Sequence, residues 1–383
     1  MTTASPDSQL AQAREALRRG DGAAALTLID AIEPSLAVHL DRALALRLLQ
    51  RLPEAIEALD EALALDPYSL LALLSKAAIL ERMGHVKDAA RVYEDALASA
   101  PPPEGLPAPI KAQLDHARKA LAENALAVQA QLRQATEAMG ASLSPPRRRR
   151  FEEALDIHAG LAKPQAQQPL LLHYPQLPAV PFHDEAAFPW LAELEAAAPM
   201  ISAEFSAVMA DRANDFAPYV EYPKGAPVNQ WSELNHSRRW SAMFLWKDGV
   251  RNDAACAQCP GTAALLDRLP LARQEGFAPT VVFSVLDAHT HIPPHTGSTN
   301  IRALVHLPLV LPGPARFRVG NETRAWKPGQ AWVFDDTIEH EAWNDADLPR
   351  TILILDVWNP YLDEEERAMA GALMAARRAY YEG

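Results

Sequence analysis

Between Gln9 and about Ala100, apolar residues recur at intervals of three and four, the spacing that lays one stripe along an α-helix, and the stretch is rich in Ala and Leu. Within it Ala62-Leu63 followed by Asp66-Pro67 returns as Ala96-Leu97 followed by Ala100-Pro101, and Glu54-Ala55 returns as Asp88-Ala89, a period of 34 residues. Gly84 stands where the turn between paired helices needs tight packing or positive φ. A looser earlier copy ends at Pro34. Pro101 to Pro109 breaks this pattern, and Ile110 to Met139 then reads as one long helix with charges spaced by three and four. Eight prolines between Pro145 and Pro189 predict an extended strap over Lys163 to His183. Asp184 is placed to cap a helix over about Glu185 to Arg212. From Trp240 onward, short runs rich in Val, Leu, Phe and Trp are separated by Gly, Pro, Asn and Asp. The runs are Ala242–Trp246, Thr280–Leu286, Ile301–Leu309, Ala315–Val319, Gln330–Phe334 and Thr351–Val357. This is sheet patterning, and strands so short and regular predict a sandwich or barrel.

The helical stretch resembles tetratricopeptide repeats, in which each helical pair buries a small-residue face on the next and leaves a concave surface for peptides or proteins. The long helix after it is placed to cap the array. Composition sharpens this picture. In 383 residues, 49% are apolar and 22% charged, enough for two or three domains with real cores. A formal charge of −13 repels phosphate backbones and anionic lipid, so nucleic acid is a poor partner. The four arginines Arg147 to Arg150 read as a solvated face. Cys256 and Cys259 are the only cysteines, too few for a disulfide framework and suited to a reducing compartment. We read this C-x-x-C as structural. Met1 to Leu10 lacks the basic and apolar regions of a signal peptide, and no run of 18 apolar residues occurs. The expectation is a soluble cytoplasmic protein without a stable membrane anchor.

Candidate chemistry concentrates in the β region. Four of the twelve histidines fall between His289 and His306, and another is His340 within Phe334-Asp335-Asp336-Thr337-Ile338-Glu339-His340-Glu341. In Arg302-Ala303-Leu304-Val305-His306 the two-residue period places Arg302, Leu304 and His306 on one strand face, with Ala303, Val305 and Leu307 on the other. An arginine and a histidine turned inward are costly without an anion to bind. Arg350, ten residues beyond His340, opens the apolar run Thr351 to Leu355 and is another cation at the edge of a core. Histidines for a metal and inward cations for a carboxylate form one coherent set.

That set resembles the aspartyl/asparaginyl β-hydroxylase family of Fe(II)- and 2-oxoglutarate-dependent oxygenases, over about Leu171 to Pro360 and most strongly from Ser284. The motifs are His291-Ile292-Pro293-Pro294-His295-Thr296-Gly297-Ser298-Thr299-Asn300, Arg302, His306-Leu307-Pro308-Leu309, Asn321-Glu322-Thr323, Phe334-Asp335-Asp336 with His340-Glu341, and Asp356-Val357-Trp358. The resemblance implies an α+β multidomain chain, an all-α tetratricopeptide-like solenoid followed by a double-stranded β-helix (jelly-roll) oxygenase domain. The expected divisions are 1–140 for the repeats, 141–165 for a linker and 166–383 for the oxygenase-like domain.

By that likeness His295 and His340 are the iron ligands and catalytic centre. The carboxylate that most such oxygenases carry two residues after the first histidine is here Gly297, as in this family. Arg350 falls on the distal carboxylate of 2-oxoglutarate; His306 and Ser284 assist with the cosubstrate. Arg302 resembles the arginine that holds a substrate carboxylate, and Trp240 a substrate-side aromatic. Leu304 departs from members that carry a second arginine there. The implied reaction couples decarboxylation of 2-oxoglutarate, with dioxygen, to hydroxylation at the β-carbon of an Asp, Asn or related residue. The substrate would be a peptide, protein or carrier-bound group recognised through the repeats. Two other readings compete. One is a cupin-like metal protein, since His289-Thr290-His291 has H-x-H spacing and His340 to Asn344 gives H-x-x-x-N; it leaves Arg350 unexplained. The other is a repeat-based interaction protein with an inactive β domain.

Overall fold

The computed structural model describes residues 6–212 and 216–382, so the extreme N-terminus, 1–5, lies outside the described residues. The chain divides into two units, Met1–Lys163 and Pro164–Gly383. The first is built from helix pairs: α1 (Pro6–Arg18) with α2 (Gly22–Ile29), α3 (Leu36–Leu48) with α4 (Leu52–Leu65), and α5 (Leu70–Arg82) with α6 (Val86–Ala98). The starts of α3 and α5, and of α4 and α6, are each 34 residues apart, matching the sequence period. Alanines make the interfaces: Ala55, Ala58, Ala62, Ala72 and Ala77 are buried, and their small side chains let neighbouring helices approach closely. Each pair turns through a left-handed residue, Gly20 at φ 78°, Gln50 at 58° and Gly84 at 84°. Long α7 (Ala108–Gly140) packs on α6. The stretch expected as a bare linker, 141–165, is mostly α8 (Pro145–His158). Pro145 and Pro146 occupy the first turn, where a missing N–H costs nothing, so the prolines read as linker start a helix instead.

In the second unit the strap is extended and runs along the sheets, donating from Gln168 N to Thr337 O and from Leu170 N to Gly297 O. The single helix expected after it is interrupted. Asp184 does cap, accepting from Ala186 N at 3.0 Å, but a 3-10 turn, α9 (Leu191–Ala196) and α10 (Ala198–Arg212) follow, with Pro189 and Pro199 among them. Then come β1 (Ala217–Pro218), β2 (Trp240–Lys247), β3 (Val250–Arg251), α11 (Asp253–Gln258), α12 (Pro260–Arg268), β4 (Val281–Leu286), β5 (Thr290–His295), β6 (Arg302–Val310), β7 (Ala315–Val319), β8 (Glu322–Ala325), β9 (Trp332–Phe334), β10 (His340–Asn344), β11 (Arg350–Trp358) and α13 (Glu364–Glu382).

Two antiparallel sheets face each other as a jelly roll. The large sheet runs β1-β2-β4-β11-β6-β9 and the small one β5-β10-β7-β8. Alternation along the large sheet sorts its two faces. Phe283, Val305, Leu307, Leu353 and Leu355 pack outward under α9 to α12, while Val282, Leu286, Ile352 and Ile354 point inward to Phe317, Phe334 and Ile292. No helix among the described residues is long and apolar enough to cross a membrane.

Candidate active site

Between the sheets lies a cavity of about 660 Å³. His295 ends β5 and His340 begins β10, and the register pairs them directly, so their rings lie 4.1 Å apart centroid to centroid. β5 is an edge strand, which is why it tolerates Pro293 and Pro294. Each ring is oriented by its own backbone: His295 Nδ1 bonds Pro293 O at 2.8 Å and His340 Nδ1 bonds Ile338 O at 3.0 Å. A carbonyl only accepts, so both Nδ1 atoms carry the proton and both Nε2 atoms keep their lone pair. Burial pushes His295 down to about 4 and His340 well below the usual imidazole range, which keeps both rings neutral. Neutral, tautomer-fixed imidazoles are the form that ligates a transition metal. Among the described residues no three His, Cys, Asp or Glu converge on a metal position. The groups that His295 and His340 turn together are two imidazoles.

Gly297 accounts for the missing carboxylate. A Cβ there would lie 1.8 Å from Asp336 Oδ2, and Gly297 N donates to Asp336 O at 2.7 Å. The Asp336 side chain fills the space a side chain at 297 would need, and burial raises its carboxyl to about 8. Neighbouring Asp335 points elsewhere, accepting from Thr337 and Gln167.

Across the cavity, the large sheet supplies Arg350, Ser284 and His306 from β11, β4 and β6. Arg350 is 1% exposed, and its Nε and Nη1 meet no partner. The guanidinium lies 4.8 Å from the Trp326 ring centroid, and no carboxylate among the described residues pairs with it. Burial pushes it down to about 9, so the folded chain works against an unpaired charge that an anion would relieve. His306 Nδ1 is likewise buried without a partner. Ser284 Oγ accepts from Trp240 Nε1 at 3.0 Å, leaving the hydroxyl proton free to donate. Trp240 is itself stacked on Tyr219, 4.0 Å between centroids.

One expected residue sits differently. Arg302 shares the inward face of β6 but does not line the cavity; its Nη1 donates to Asp356, and its guanidinium lies 4.5 Å over Phe277. The histidines of the cupin-like reading also diverge. His289 bonds Asp347, His291 stacks on Trp343 and bonds Glu341, and Asn344 spends its amide on the carbonyls of Leu286, Asp287 and Leu348. Cys256 and Cys259 are buried, free, and raised by burial, in keeping with packing residues. The cavity adds residues that the sequence did not single out: Tyr219 and Trp231 at its walls, and Gln168 and Leu170 from the strap. Trp326, behind Arg350, lies between strands where no periodic pattern marks it.

A model of the aspartyl/asparaginyl β-hydroxylase family matches residues 195–360. Human aspartyl/asparaginyl β-hydroxylase is 38% identical over 153 residues, 39% of this chain and 20% of that protein. The ornithine lipid ester-linked acyl 2-hydroxylase of Rhizobium tropici is 33% identical over 208 residues, 54% of this chain and 69% of that protein. Aspartate β-hydroxylase domain-containing protein 2 of Xenopus tropicalis is 31% identical over 220 residues, 56% and 57% respectively. The chain thus spans about a fifth of the human relative's length.

Proposed function

Because the chain belongs to the aspartyl/asparaginyl β-hydroxylase family, we propose that its second unit is an Fe(II)- and 2-oxoglutarate-dependent hydroxylase. The observation that carries the reading is the juxtaposition of two Nδ1-locked neutral imidazoles with a buried, unpaired guanidinium across one cavity. His295 and His340 would hold the iron through their Nε2 atoms. When bound, iron with 2-oxoglutarate and dioxygen supplies an oxidant able to take hydrogen from an unactivated C–H bond, as the cosubstrate is decarboxylated to succinate. The chain's own residues bind and aim. Arg350 offers its unpartnered N–H groups to the distal carboxylate, Ser284 donates its free hydroxyl proton, and His306 closes the corner. Trp240 keeps the Ser284 hydroxyl oriented. Trp231, 4.9 Å from the His295 ring, and Tyr219 shield the centre from water.

The substrate carbon we assign is the β-carbon of an Asp, Asn or related residue in a peptide, protein or carrier-bound group, with the repeats contributing recognition. Arg302 keeps a buried, unpartnered Nε, but with Nη1 on Asp356 it lies outside the cavity lining and would have to turn inward to hold the substrate's carboxylate. This supports a second reading, hydroxylation of an acyl chain. Leu304 is apolar where some family members carry an arginine, and the Rhizobium relative is named for an acyl 2-hydroxylation. The test is anaerobic titration of metal-free protein with Fe(II) and 2-oxoglutarate, watching the visible metal-to-ligand charge-transfer band. The band should need both additions and should be absent in His295→Ala. A folded chain that gives no band overturns the proposal.

A further inference from the structure

A second concavity, about 770 Å³, lies beside the strap and takes no part in the chemistry above. Its walls are Leu171, Val250, Phe277, Met374 and Tyr381, and two of these are unusually open for large apolar side chains, Val250 at 67% and Tyr381 at 71%. Lys247, Arg377 and Arg378 stand around it against Asp248 and Glu275. On a chain of net charge −13 that is a local reversal of sign. Among the described residues neither Lys247 nor Arg377 pairs with a carboxylate; they lie over the aromatic faces of Phe244 and Tyr381. Arg378 donates to Gly276 O and closes one end of the groove.

We propose that this groove binds a single-chain anionic amphiphile, an acyl chain ending in a carboxylate or phosphate. The chain would cover the apolar walls, and the head group would take the Lys247 and Arg377 charges. A peptide is the poorer fit, because the bordering strand β3 is only two residues long and cannot template an extended backbone. The groove has no lining residue in common with the catalytic cavity, but the strap runs between the two. Leu170 lines the cavity and Leu171 the groove, successive residues of an extended segment turned to opposite sides, their amides bonded to Gly297 O and Ser298 O. On the other flank, Phe277 faces the groove and carries Arg302 on its ring. An occupant would therefore press on both the strap beside His295 and the Arg302–Asp356 pair.

The test is calorimetric titration of the full-length, metal-free chain with dodecyl phosphate below its micelle concentration. One-to-one binding is expected, at least tenfold tighter than dodecyltrimethylammonium or inorganic phosphate. Excess 2-oxoglutarate should not displace the probe, which separates the groove from the Arg350 corner. Val250→Asp and Arg377→Glu, both at exposed positions, should each weaken binding at least tenfold while leaving uncoupled 2-oxoglutarate turnover unchanged. Equal affinity for the cationic probe, indifference to Val250→Asp, binding only to phosphatidylglycerol vesicles, or preference for an acidic peptide would each overturn the proposal. Because binding is read without iron, its failure leaves the hydroxylase reading standing, and missing turnover with intact binding overturns only that reading.

Discussion

The two walls of the catalytic cavity are finished to different degrees. On the small sheet, His295 and His340 already have their Nδ1 protons bonded to backbone carbonyls, and their rings pack against Trp231, Phe317 and Phe334. On the large sheet, Arg350 and His306 hold buried nitrogens that meet no partner among the described residues. Burial acts on both walls with opposite consequences. It favours the neutral imidazole, which is the ligating form, but opposes the guanidinium charge, which stays costly until an anion arrives. One wall is pre-organised whatever is bound; the other, on the proposed reading, is completed by 2-oxoglutarate. A ligand that binds only the folded state stabilises it, so the second wall couples occupancy to stability.

The largest effects should come from the finished wall. His295→Ala and His340→Ala each remove one of the two imidazoles proposed to hold the iron, and succinate production should vanish in both while circular dichroism stays that of the folded chain. Full activity in either variant would mean the metal sits elsewhere. Gly297→Asp tests why the wall has no carboxylate. Because Asp336 occupies the space, the single variant should be destabilised by overpacking, about 1–3 kcal/mol by denaturant melting, and should lose iron. Gly297→Asp combined with Asp336→Gly should recover the lost stability; a stable single variant would show that the Asp336 side chain moves aside freely.

On the unfinished wall, removing one side of a buried charge-assisted pair costs about 2–5 kcal/mol. Arg350→Ala should therefore raise the apparent KM for 2-oxoglutarate by tens-fold or more. In metal-free protein, 2-oxoglutarate should raise the Tm of the wild type and not of this variant; equal shifts would place the distal carboxylate elsewhere. Trp326→Leu should do less. A cation–π contact at 4.8 Å is worth about 0.5–2 kcal/mol, so KM for 2-oxoglutarate should rise several-fold with iron affinity unmoved. If kcat falls and KM does not, Trp326 is not what holds the Arg350 plane.

The same contrast governs what could be read from the chain alone. Local rules were legible: the 34-residue period yields the paired helices, and alternation puts Leu304 and His306 inward and Val305 outward. His295 and His340 were identifiable by motif, yet their strands β5 and β10 were not among the predicted runs. Pro293-Pro294 breaks strand grammar, and His340-Glu341 is too polar to read as buried sheet. What stayed hidden depends on register between distant segments. Asp336 against Gly297, Arg302 on Asp356 and Arg350 over Trp326 each join residues from different loops or strands. Pairings of that kind leave no periodic trace, so the substrate role given to Arg302 could not anticipate its carboxylate partner.

The smallest effect on chemistry is expected from the first unit, and that expectation makes it informative. Leu65, Tyr68 and Leu71 flank the turn between α4 and α5 and are exposed at 58%, 78% and 53%. Apolar groups so placed contribute little to folding, and exposed substitutions usually change stability by under about 0.5 kcal/mol. The double variant Tyr68→Ala with Leu71→Ser should therefore leave the fold and uncoupled 2-oxoglutarate turnover as in the wild type. If the repeats select substrate, hydroxylation of a folded Asp-bearing protein should fall, because the lost surface supplied effective concentration rather than catalytic groups. A free amino acid or a short peptide should be processed as before, since neither carries the folded surface that the repeats would engage. Mass spectrometry of the hydroxylated products, set against succinate formed, reads both quantities at once. Equal hydroxylation of all three substrates by variant and wild type would remove this face from substrate recognition and favour the small-molecule or acyl-chain reading of the cavity.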